Sequence, residues 1–188
     1  MKNNKVKAMV AIGMLSSISY LLMLLNFPLP MFPNFLLIDF SDIPALIAAL
    51  MFGPAAGVLV ELFKNILDYI ATGSQTGIPV GHLANFAAGI LFILPTYFVY
   101  SKLKNKKGMT FGLVAGTITM AVMMSVLNYL VILPAYTALL HYPDYRNLVV
   151  SFVLPFNLIK GIVMSFIFML LFVRMQSWIQ KHKTIKNA

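Results

Sequence analysis

Glu61, Lys64 and Asp68 interrupt an apolar run from Pro54 to Ile70 at spacings of three and four residues, which sets all three on one face of a helix. Two carboxylates and an amine on one stripe can hold a polar solute, hold a proton or an ion, or neutralise one another as a structural lock. Each ionised group near a bilayer centre costs about 2.5 to 3.5 kcal/mol on insertion scales, so three in one span persist only beside partners, water or a polar ligand. Lys160 interrupts a second apolar run, Val149 to Val173. These groups must face a protein interior. Catalysis is not their chemistry: there is no cysteine, no H-E-x-x-H and no G-x-S-x-G, and His82, His141 and His182 lie too far apart for a shared metal site. No G-x-x-x-x-G-K-[ST] occurs either, so nothing here cradles ATP phosphates.

The elements that must position these groups are membrane helices. Mean hydropathy is +0.87, with 60% hydrophobic and 10% charged residues in a chain of 188. That leaves room for one all-α integral membrane domain and no soluble one. With about 20 residues needed per crossing, six spans follow: 8–25, 36–52, 54–72, 80–100, 109–133 and 149–173. The first has the basic flank and apolar centre of a signal peptide, but Asn26 to Pro30 offers no small-x-small cleavage site, so it reads as a retained helix. The second is short or tilted and carries Asp39, Asp42 and Pro44 at its outer end, where Asp42 has the placement of a helix cap. Gly53-Pro54 makes a tight reversal into the third. Pro95 marks a kink site in the fourth, and Gly108, Gly112 and Gly116 form a ridge along the fifth that admits a close neighbour.

Charge sets the orientation. Eleven of the 14 Lys and Arg residues lie before the first span, in the 101–108 loop or from Arg174 onward, whereas the opposite loops carry only Arg146. Both termini are therefore expected in the cytoplasm, and Trp178 and Tyr100 read as interface anchors. The same topology puts Asp39, Asp42, Asp68, Asn85, Asn128 and Asn157 in the outer halves of their spans. Glu61 lies about 10 Å below Asp68. A polar cluster open outward and closed below suits capture of an external solute, and the flexible segments Asn26 to Asn34 and Gly73 to Pro79 are placed to cover it. Carboxylates and amides match a polyol or a heteroaromatic imide edge, and phenylalanines and leucines match a ring system. Without an arginine cluster, a neutral ligand fits better than a phosphorylated one.

Five runs, taken in order, are Asp39-Phe40-Ser41-Asp42-Ile43-Pro44-Ala45-Leu46-Ile47, Gly53-Pro54-Ala55-Ala56-Gly57, Glu61-Leu62-Phe63-Lys64-Asn65, Asn85-Phe86-Ala87-Ala88-Gly89 and Asn157-Leu158-Ile159-Lys160. This series resembles the riboflavin-specific S component of energy-coupling factor (ECF) vitamin transporters. The resemblance implies a six-helix membrane subunit in a bacterial plasma membrane that binds riboflavin as transported substrate, with no cofactor. It also implies association with a transmembrane coupling protein and two cytoplasmic ATPases, and a toppling motion that carries the vitamin inward.

Carried onto this chain, the resemblance gives Asn157 and Lys160 to the ring system or its polar edge. It gives Glu61 and Lys64 to the polar pocket, places Asp39 among the substrate-binding residues, and gives the loop of Asn34, Phe35, Leu36 and Leu37, running up to Asp39, to a lid. Asn85 belongs to the same motif series, while Asn128 joins the binding set by its depth. The Ala-x-x-x-Ala docking pair common in the first helix of such proteins is missing; Ala8, Ala11, Gly13, Ser16 and Ser17 offer a small face instead, with Gly13 and Ser17 four apart. Beside this stand an autonomous ion-coupled carrier using Glu61 or Asp68, and a purely structural role in which the charges lock the bundle and each asparagine bridges helices.

Overall fold

The computed structural model describes residues 2–74, 77–141 and 143–182; the side chain of Trp178 and residues Lys183 and Lys186 lie outside the described set. Helix α1 spans Lys2–Leu24, and after it a two-residue antiparallel pair joins β1 (Phe27–Pro28) to β2 (Leu37–Ile38), with Phe27 opposite Ile38 and Pro28 opposite Leu37. Then come α2 (Asp42–Phe52), α3 (Pro54–Thr72) and α4 (Val80–Leu103). Helix α5 (Lys106–Leu127) continues through a π turn, Asn128–Ile132, into α6 (Leu133–Leu140). A 3-10 turn and a second π turn, Val149–Val153, lead into α7 (Leu154–His182). Counting α5 with α6 as one rod, the described residues form six rods. Four are long and apolar enough to cross a membrane.

The other two explain themselves. Helix α3 has 19 residues but carries the three charges, while α2 has only 11, about 16 Å at 1.5 Å per residue. The expected second span, 36–52, is therefore helix only from Asp42 onward. Residues 36–41 run as strand and turn, with Leu36, Ile38, Asp39 and Ser41 buried. Non-helical backbone at membrane depth is tolerated where protein covers it, and here the rest of the bundle does so.

Small residues set the helix spacing. A Cβ on Gly57 would stand 2.8 Å from Ala49 Cβ, so α2 and α3 pack almost backbone to backbone. A Cβ on Gly116 would meet the Phe92 carbonyl oxygen at 2.4 Å, and one on Gly112 would meet that of Thr96 at 2.7 Å. The glycine ridge of α5 is thus filled by α4. Thr96 Oγ1 donates across that seam to Gly112 O (3.1 Å) and within α4 to Phe92 O (2.7 Å). The core then fills with Leu46, Leu50, Phe92, Ile93, Met109, Met120, Met164, Phe168 and Phe172, all nearly inaccessible. Facing outward are Val10, Met14, Leu21, Phe111, Ile118, Val122, Ile162, Phe166 and Leu170. An apolar exterior around a partly polar interior is the arrangement lipid requires.

Candidate functional site

Helix α2 begins at a turn that gathers charge. Asp39 Oδ1 accepts from Ser41 N–H at 2.9 Å and from Ser41 Oγ, the local turn that short acidic side chains favour. Lys64, rising from α3, donates to Ser41 Oγ (2.6 Å) and Asp42 Oδ1 (2.5 Å), and its Nζ lies 2.8 Å from Glu61 Oε2. Lys160 reaches in from α7 to Asp39 Oδ2 at 3.0 Å, with Asp42 Oδ2 at 4.0 Å. Ser19 of α1 caps the knot by donating to the Ser41 carbonyl. Four helices and the β2–α2 turn meet here.

Asp42 does not serve as a side-chain cap; it is a counter-ion of Lys64. Of Glu61, Lys64 and Asp68, the first two form an ion pair at 2.8 Å, and only Asp68 stands apart. Their spacing carries Asp68 a full turn beyond Lys64, where it pairs with His82 Nε2 at 3.0 Å, and Lys160 balances Asp39 instead. The two lysines are held ionised by geometry: each has carboxylate oxygen within 3.0 Å, and an unpaired buried ammonium would be costly.

The α3–α4 seam continues this network as rungs spaced about one turn apart. Glu61 lies against Gly89, whose hypothetical Cβ would stand 2.2 Å from Oε2. Asn65 Nδ2 lies 3.4 Å from Asn85 Oδ1 and donates to Glu61 O at 2.8 Å. Asp68 and His82 form the outermost rung. From the middle rung Asn85 Nδ2 reaches Asp39 Oδ2 at 3.4 Å.

Above the charged knot lies a cavity of about 860 Å³, within the range of a drug-sized ligand site. Asp39, Asp68, His82, Asn85, Asn128, Asn157 and Lys160 contribute its polar wall. Met124, Ile132, Leu133, Tyr136 and Phe156 contribute apolar surface, and Asn34, Phe35, Leu36 and Leu37 close one side, with the Phe35 ring 6.3 Å from that of Tyr136. Asn128 opens one π turn and Asn157 follows the other. Each donates Nδ2 to its own helix, to Met124 O and Val153 O at 2.8 Å, which leaves its amide oxygen to accept from a ligand. The cavity lies at the end that brings together Asn34 to Leu37, Gly73, Ser74, Pro143, Tyr145 and Leu148, opposite the lysine-rich turn between α4 and α5.

Of the residues singled out by sequence, Asp39, Asn85, Asn128, Asn157 and Lys160 line this space, as do Asn34 to Leu37. Glu61 and Lys64 do not; they are wholly buried one layer behind, bracing Asp42 and Ser41. Ser41, Asp42, Asn65 and His82 complete the network although the sequence reading gave them no site role. The Asp39-Phe40-Ser41-Asp42 turn was the available signal for the first two, since its serine sits two residues past an aspartate. Asn65 and His82 offered only helical spacing from Glu61 and Asn85. On α1, Ala8 and Ala11 are half-buried, while Gly13 and Ser17 are exposed and linked by a Ser17 Oγ bond to Gly13 O (3.1 Å). A Cβ on Gly13 would meet nothing within 4 Å.

Residues 7–172 match the family model for the substrate-specific component of ECF transporters. The chain is 52% identical over 185 residues, 96% of its own length and 97% of the relative's, to the riboflavin transporter FmnP of Bacillus subtilis (strain 168). It is 41% identical to the riboflavin transporter RibU of Staphylococcus aureus (strain TCH60), over 93% of each. A solved S component of a bacterial ECF transporter superposes with a TM-score of 0.82 at 40% identity, covering 94% of this chain and 99% of that one.

Proposed function

Because this chain belongs to the substrate-specific components of ECF transporters, we propose that it captures riboflavin at the outer side of a bacterial plasma membrane and delivers it inward. The observation that carries the reading is the cavity: side chains from five separate segments converge on one ligand-sized space with a polar wall, an apolar wall and a closing loop. Asn157 and Lys160 meet the imide edge of the flavin ring, Asn128 and Asn85 accept and donate beside them, and Asp39 holds Lys160 in place. Phe35, Tyr136 and Phe156 flank the ring, and Asn34 to Leu37 serve as the lid.

Energy comes from elsewhere, since the chain has no nucleotide cradle; a transmembrane coupling protein and two cytoplasmic ATPases supply it. The exposed strip of Gly13 and Ser17 on α1, bordered by the half-buried Ala8 and Ala11, is the docking face for the coupling protein. Both termini lie in the cytoplasm, in keeping with the lysine distribution. Titration of the purified protein with riboflavin, followed by the vitamin's own fluorescence, tests the substrate. Saturable quenching that other vitamins do not compete away is expected; saturation by a different vitamin with none by riboflavin overturns the assignment.

A further inference from the structure

The charged knot contains one carboxylate too many. Asp42 has Lys64 at 2.5 Å and Asp39 has Lys160 at 3.0 Å, which leaves Glu61 as the third acid among two bases. Its one neighbouring cation, Lys64, lies 2.8 Å from Oε2 but shares its single charge with Asp42. The groups that face it are Asp39 and Asp42 from the α2 entry, Lys64 and Asn65 from α3, Asn85 and Gly89 from α4, Lys160 from α7 and, from α1, only the uncharged Ser19. Glu61 is fully inaccessible, and an ionised carboxylate without its own counter-charge is disfavoured in such a place.

The hydrogen bonds point the same way. Although Lys64 Nζ is close to Oε2, neither Glu61 carboxyl oxygen makes a well-directed hydrogen bond, and Asn65 Oδ1, one helical turn onward, is a buried acceptor with no donor. A carboxyl O–H four residues earlier, on the same helical face, is a donor of the kind Asn65 Oδ1 lacks. We infer that Glu61 is kept as the neutral acid and is a positioning residue: it donates to Asn65 Oδ1, which fixes the Asn65 amide toward Asn85 and, through Asn85, the amide facing Asp39 on the cavity wall. The positioning half of this inference rests on the riboflavin reading; the protonation half does not.

Glu61 is the sole glutamate of the chain, so glutamate labelled with carbon-13 at the δ position reports one site in native protein. At neutral pH and without ligand, its infrared band is expected at the frequency of an un-ionised acid, and it is expected to vanish in Glu61→Gln; a carboxylate band overturns the inference whatever the ligand proves to be. For the positioning role, Glu61→Gln keeps a donor and Glu61→Met keeps only the volume. Riboflavin should bind the Met variant at least about tenfold more weakly than the Gln variant, one hydrogen bond's worth. Equal binding by the two overturns that half.

Discussion

The two ends of this bundle are built on opposite principles. At the end bearing the α4–α5 turn, Gly108, Gly112 and Gly116 draw helices together, Phe168 and Phe172 stack at 6.2 Å between ring centroids, and helix geometry is regular. At the other end, α2 is only 11 residues long, two π turns interrupt their rods, and the polar side chains collect around a hollow. The lesson is that a membrane bundle can keep irregular backbone and buried charge if both are confined to one region and the remainder is packed tightly enough to carry them.

Breaking the charged knot should show the largest effect. Lys64→Ala leaves Asp42 without its partner in the interior and is expected to cost about 3 to 5 kcal/mol, seen as a lowered melting temperature in detergent or as loss of folded protein. At the packed end, Gly116→Leu forces a side chain against the Phe92 carbonyl and should cost about 1 to 3 kcal/mol in the same assay. Riboflavin should still bind the fraction that remains folded, because the fault lies away from the cavity.

Asn157→Ala sharpens the contrast from the other side. It removes a cavity-wall amide that, among the described residues, bonds to its own helix alone, so the melting temperature should barely move while riboflavin affinity falls about tenfold. A large loss of stability instead would make Asn157 a structural bridge. Arg146 should give the smallest effect. It pairs with Asp144 at 2.5 Å on an exposed loop at the cavity end, and that guanidinium holds the Asp144 carboxyl below its ordinary range. Whatever the pair contributes is present above the ordinary carboxylate range and lost as pH falls through the lowered value. Exposed pairs are screened and hold little. Arg146→Ala is therefore expected to leave both melting temperature and affinity unchanged within error.

Much of this was legible in the chain of residues. Apolar run lengths, proline and glycine breaks and the lysine distribution mark the rods because lipid imposes one length and one surface chemistry on every crossing. The scarcity of intramembrane charge likewise singled out Glu61, Lys64, Asp68 and Lys160. Their partners were another matter. Spacing of three does pair Glu61 with Lys64, but Lys64 also meets Asp42 from another helix, Asp68 turns to His82, and Lys160 finds Asp39 across 121 positions.

What the sequence by itself determined was the class of the protein, its helical rods and which side chains could not face lipid, since each depends on composition and local period. Only the tertiary structure decided that α2 begins at Asp42 rather than near Leu36, that Glu61 and Lys64 stand behind the cavity rather than on it, and which acid meets which base. Those outcomes depend on how close the helices approach, set by Gly57, Gly89 and Ala49, and on distances across the bundle that no local pattern encodes.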